Sequence, residues 1–452
     1  MAPHLAPFPF FFSLGWASQR GAMLRHYSSQ DAQSMASFRK NFAVLMMLQV
    51  STYAAPLLTL PLLTRVLMPS GYGRLAFAMA FINYFIVLTN YGFSLTATPQ
   101  ISINRDNRAQ RSRIFWETIL SQAIITAVGF VVLVALTFTF ERLEQDRALL
   151  ILGFGSAIGA MLIPTWYFQG IEDLRVISII VFTGRALSVP AMFLLVHTRE
   201  DIYWAMGVNM LVPLLSGITI VSYLYLRREM DFVAVPMRDI VKALRNGWGI
   251  FMATAVFDIY TSSNVVLLAL ISGDVTAGYF AAGDKLIRAA LAMMTPLRSA
   301  AYPRISYLMH HAREDAFDFL RKMLAYQGVL LAIVSLTIFL GAPFAVKILY
   351  GAQFAPTVNV LRWMAFIPFM SGFSDIFGVQ TMLPLGMRSQ FSRVLIVSAF
   401  LNFGLLALLA RLYGEQGAAA TVLTVETYIA VAMGATLYFQ KVPFLRRRPL
   451  AS

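Results

Sequence analysis

At 452 residues, 58% hydrophobic and only 13% charged, the chain has too little polar surface for a soluble globular domain. Its net charge of +14 does not mark a nucleic-acid binder, because Lys and Arg are sorted between alternate loops rather than massed on one face. Cysteine is absent, which excludes disulfides, thiolate metal sites and cysteine nucleophiles.

Residues 1–38 hold an apolar stretch, Phe8–Trp16, with no basic residue before it, so a signal peptide is poorly supported. The segment reads as a cytoplasmic tail, disordered or lying upstream of a true start at Met23 or Met35. Apolar stretches then follow at 41–66, 75–97, 114–140, 148–169, 176–197 and 202–226. A basic linker occupies 227–248, and six more stretches lie at 249–272, 276–298, 322–347, 358–383, 390–411 and 417–440. Each is long enough for a helix to cross a hydrocarbon core of about 30 Å. The expectation is an all-α polytopic membrane protein with about twelve transmembrane helices. Its parts would be an N-lobe (39–226), a C-lobe (249–440) and a basic tail (441–452).

One set of loops carries Arg39 and Lys40, Arg105, Arg108, Arg111 and Arg113, the linker cations, and Arg446, Arg447 and Arg448. The other set carries little beyond Arg65, Arg74, Arg142, Arg147 and Arg199. This asymmetry puts both termini and the linker in the cytoplasm, where the excess charge meets anionic lipid headgroups. Within the linker, Ile240, Val241 and Leu244 share one side, the pattern of a short amphipathic helix lying at the interface.

The two halves repeat weakly. LTRVLMPSGYGRLAFAMAF follows the first span and LALISGDVTAGYFAAGDKL follows the seventh; aligning Gly73 with Gly278 gives an offset of 205 residues. Six spans separate the two positions, and an even number preserves orientation, so the halves would be parallel repeats facing each other across a cleft.

Charges within spans are costly unless they face protein or water, which makes each a site candidate. Asp258 and Lys285 both lie about 15 Å deep on a rise of about 1.5 Å per residue, and Arg185 and Glu426 come out at similar depth. Asp284 and Arg288 are spaced to pair on one helix face, as are Lys285 and Arg288. Asp284 cannot neutralise both cations. Asp258, expected to meet Lys285 near the midplane, brings the set to rough neutrality, and Arg185 would tip the cavity positive. That would leave charge on Arg185, Lys285 and Arg288 for an anionic headgroup such as a diphosphate. Asp258, Asp284 and Glu426 are the cavity carboxylates, candidates for proton or sodium coupling. Glu117 and Asp375 lie nearer the cytoplasmic ends, where snorkelling accounts for them, and Trp166, Tyr167 and Trp363 read as interface anchors. The five histidines have no metal-site spacing, and no phosphate-cradling G-x-x-x-x-G-K-[ST] loop is present. No catalytic residue, cofactor or metal is expected.

Five segments, in order, resemble the polysaccharide flippases of the MOP superfamily, the Wzx-type O-antigen translocases. They are PLLTLPLLTRVLMPSGYGRLAFAMA, NYGFSLTATPQIS, PTWYFQGIEDL, GYFAAGDKL with PLRSAAYPRIS, and YGAQFAPTVNVLRWMAFIPF. One departure is Pro99–Gln100, where family members often carry basic residues. The resemblance implies two six-helix lobes around a central, cationic cavity. It also implies an undecaprenyl-diphosphate-linked oligosaccharide substrate moved to the periplasmic leaflet of the bacterial inner membrane. Membrane lipids and polysaccharide polymerase or chain-length machinery would be partners; nucleic acid would not. The rival within the superfamily is a MATE-type cation-coupled drug exporter, against which three mid-membrane cations argue. A membrane-embedded polymerase or glycosyltransferase would need a large external loop, and every loop here on the external side is short, such as Ser272–Val275.

Overall fold

The computed structural model describes residues 29–443, with side chains described from Tyr53 onward except at positions within 253–260 and 296–300. Among the described residues the structure is helical, without strands. Helix α1 (Ser29–Asn90) covers the first expected span and most of the second and kinks at Met68 (φ 59°, ψ 173°), which Pro69 after it keeps out of the helical region. Tyr91 and Gly92 then turn in the left-handed region, and α2 (Phe93–Ile103) carries the second span further than hydropathy indicated.

Helices α3 (Arg108–Thr139), α4 (Glu141–Gln145), α5 (Arg147–Met161), α6 (Thr165–Gly170), α7 (Arg175–Leu195) and α8 (Ile202–Leu226) complete the first half. In the second half, α9 (Met237–Ser272) is one continuous helix. Its first turns are the segment expected to lie separately at the interface. Helix α10 (Asp274–Ala292) breaks before α11 (Thr295–His311), and α12 (Arg313–Leu349) leads to the broken run α13 (Thr357–Met364), α14 (Ile367–Phe377) and a π-helical turn at Gly378–Met382. Helix α15 (Arg388–Phe439) folds back at Gly414, whose φ of 55° reverses the chain between the last two spans.

Among the described residues, seven helical stretches are long and apolar enough to cross a membrane, two of them running through two expected spans each. Helix α10 is not among them, because its 19 residues hold Asp274, Asp284, Lys285 and Arg288. Its packing explains why such a helix is retained. It lies along α1, and a Cβ on Gly73 would stand 1.8 Å from the Asp274 carbonyl oxygen, one on Gly278 2.3 Å from that of Pro69. Two glycines therefore let the backbones touch. They are the pair aligned by the sequence repeat, so equivalent positions of the two halves meet face to face.

Trp166 and Tyr167 are not interface anchors. Both are buried, against Phe115 and the α6 turn. The Pro164 break before α6 folds these rings inward, a turn that hydropathy does not register.

Candidate functional site

The bundle has a sparsely charged end, where Gly273 and Gly351 turn, and a basic end, marked by Arg105–Arg113. At the sparse end, Gly273 (φ 86°) starts α10, and Asp274 follows in its first turn, where the helix dipole favours a carboxylate. Arg142 of the first half pairs with Asp274 of the second, and also with Asp146 at 3.2 Å. Arg74 Nη2 donates to Asp146 at 2.6 Å, and the Asp146 side chain is wholly buried. The halves are thus joined by a chain of charges above the glycine crossing.

Two turns further along α10, Arg288 Nε donates to Asp284 at 2.5 Å and Nη2 to the Thr261 carbonyl at 3.3 Å. This is the pair expected from the four-residue spacing. Lys285, half-buried beside them, makes no hydrogen bond or ion pair with another described residue, and the charges acting on it are Asp284 and Arg288. A half-buried ammonium without an acceptor among the described residues has donors open to water, to an anion or to Asp258, whose side chain lies outside those residues.

Glu426 of α15 lies within electrostatic reach of Arg298 and Arg288, with no ion pair to either. Asp375 is buried, 3.6 Å from Arg298, so it is not a snorkelling residue at a span end. The spacing of α14 turns it inward, and Gln380 of the π-helical turn donates to the Arg298 carbonyl at 3.3 Å. Such π turns are frequent at functional sites. Arg298 and Asp375 are the residues that sequence reasoning missed: both were counted toward span ends, and only the break between α10 and α11 reveals where Arg298 goes.

With these included, the second-half set holds three carboxylates (Asp284, Asp375, Glu426) and three cations (Lys285, Arg288, Arg298). It is balanced rather than cationic, and the surplus expected from sequence rests on Arg185. Arg185 lies elsewhere, half-buried in α7 with Tyr53 of α1 beside it. Asp258 falls in α9, outside the described side chains. Among the described residues no cluster of His, Asp or Glu is arranged to hold a metal ion.

Residues 38–309 match the polysaccharide biosynthesis protein family. The chain belongs to that family. A relative from Escherichia coli (strain K12), named "Putative O-antigen transporter", is 30% identical over 397 residues, covering 88% of this chain and 96% of the relative. One of the same name from Shigella dysenteriae is 25% identical over 398 residues, covering 87% and 98%. Among solved structures, the lipid II flippase MurJ in an inward closed conformation superposes with a TM-score of 0.71 at 12% identity, over 88% of this chain and 87% of MurJ. An inward-facing multidrug resistance MATE family transporter of the MOP superfamily gives 0.61 at 13% identity, over 89% and 94%. These likenesses establish the fold: this member of the polysaccharide biosynthesis protein family is a multi-span helical bundle folded like MurJ and the MATE family transporter.

Proposed function

We propose that the chain is a flippase that carries an undecaprenyl-diphosphate-linked oligosaccharide from the cytoplasmic to the periplasmic leaflet of the inner membrane by alternating access. The observation that supports this most is Lys285: a half-buried ammonium, beside Arg288, lacking a protein acceptor among the described residues. The basic end, with both termini, faces the cytoplasm on the charge rule. The sugar and diphosphate pass between the halves past α10, while the lipid chain stays in the bilayer. Lys285 and Arg288 bind the diphosphate, Arg through its planar fork and Lys as a point charge, and Arg185, on α7 of the facing half, meets the headgroup only from the other side of its path.

The acids Asp258, Asp284 and Glu426 are the coupling candidates on this reading, with proton or sodium as the driving ion. Glu426 is the best placed of those described, since the charge of Arg288 reaches it while Arg288 itself is held by Asp284, so an anion that takes that cation changes the field at Glu426. Polymerase or chain-length machinery receives the product. The chain is read as a transporter and not an enzyme. The test is Lys285→Ala and Arg288→Ala in a complemented deletion strain. Translocation falls by about tenfold or more, the worth of a charged hydrogen bond, while protein level holds. Wild-type transport at wild-type protein level in both variants would return these residues to a structural role.

A further inference from the structure

A second concavity lies at the sparsely charged end, away from α10. It is a groove of about 510 Å³ between α12, α13 and α15. Asn359, Arg362 and Trp363 line one wall from a single face of α13, and Phe366, at the cap of α14 just past its end, continues that wall. The opposite face of α13 is core, with Val360, Leu361 and Met364 buried. Gln416, just past the Gly414 reversal, faces the polar end of this wall, and Phe339 and Leu423 close the groove.

The lining is graded. From Asn359 to Phe366 the chain descends about 10 Å, passing from amide through guanidinium and indole to phenyl. Phe339 and Phe366 pack with ring centroids 5.8 Å apart. Among the described residues the Asn359 and Gln416 amides make no hydrogen bond and Arg362 meets no carboxylate; its guanidinium lies over the Phe339 ring at 5.7 Å. Three polar side chains without protein partners thus converge above a pocket of aromatic and aliphatic ones. A guanidinium and two amides at headgroup depth suit phosphate oxygens, and a Trp at the boundary suits the interface.

We propose that this groove holds a phosphate-headed lipid of the external leaflet, its head on Arg362 and the two amides, its chain between Phe339, Phe366 and Leu423. The site serves the bilayer around the protein, so it stands or falls separately from the transported substrate. The experiment is native mass spectrometry of the purified full chain, offered phosphatidylglycerol, a polyprenyl monophosphate and diacylglycerol in equal amounts. Wild type retains the phosphate-headed lipids over diacylglycerol; Arg362→Ala lowers that retention about tenfold. Arg362→Lys, which keeps the charge but loses the fork, retains an intermediate amount. Phosphatidylglycerol, the bulk lipid of the proposal, is retained at least as well as the polyprenyl phosphate; clear preference for the polyprenyl phosphate overturns the bulk-lipid assignment. Equal retention by wild type, Arg362→Ala and Trp363→Ala, or retention of diacylglycerol as strong as the others, overturns it.

Discussion

The two ends of the bundle join the halves by different physics. At the sparse end, Gly73 and Gly278 bring backbones into contact beneath Arg74, Arg142, Asp146 and Asp274, with the Asp146 side chain withdrawn from solvent. At the basic end the halves meet through side chains: Tyr91 stacks on Phe251 at 4.7 Å and donates to the Leu244 carbonyl, and Arg113 pairs with Asp239 at 2.8 Å. Exposed pairs of that kind are worth about 0–1 kcal/mol. Removing one partner of a buried pair costs about 3–5 kcal/mol. A two-lobed bundle built this way is tied firmly at the sparse end and is cheap to rearrange at the basic one.

Substitutions break this contrast in a graded order. Asp146→Ala strands Arg74 and leaves Arg142 with Asp274 alone, and costs up to about 3–5 kcal/mol, read as a fall in the thermal unfolding midpoint of purified protein. It also opens the sparse end. The chain has no native cysteine, so Thr276→Cys, beside the Gly414 turn, reports access to a membrane-impermeant maleimide without background. Labelling that is slow in the parent becomes fast when Asp146→Ala is added; unchanged labelling would contradict a charge-held closure. Gly278→Ala places a methyl against Pro69 and costs about 1–3 kcal/mol through overpacking, and a matching Gly73→Ala costs a similar amount if the crossing is symmetric.

At the other end the effects shrink. Phe251→Leu loses the ring stack, about 0.5–1.5 kcal/mol beyond its buried area, and Arg113→Ala loses less than about 1 kcal/mol. A stability loss for Arg113→Ala as large as that for Asp146→Ala would erase the difference between the ends.

Much of this was legible before any coordinates. The helices, the basic loops and the Gly73–Gly278 correspondence follow from hydropathy, charge order and repeat, because the membrane enforces span length and loop sign. The Asp284–Arg288 pair follows from four-residue spacing alone. What stayed hidden depends on breaks inside spans. The interruption after Ala292 turns Arg298 toward Asp375, the π turn brings in Gln380, and Pro164 folds Trp166 into the core. An inventory of depth along straight helices misplaces residues beyond a break, so Asp375 was assigned to the interface and the site's charge was judged more positive than it is.

The most direct measurement is the leaflet distribution of undecaprenyl-diphosphate-linked oligosaccharide in the inner membrane of a strain lacking this chain and any redundant flippase. The account predicts units trapped on the cytoplasmic leaflet and loss of surface polymer, both restored by the wild-type chain and poorly by Lys285→Ala. Units reaching the periplasmic leaflet at the normal rate without the chain would contradict it.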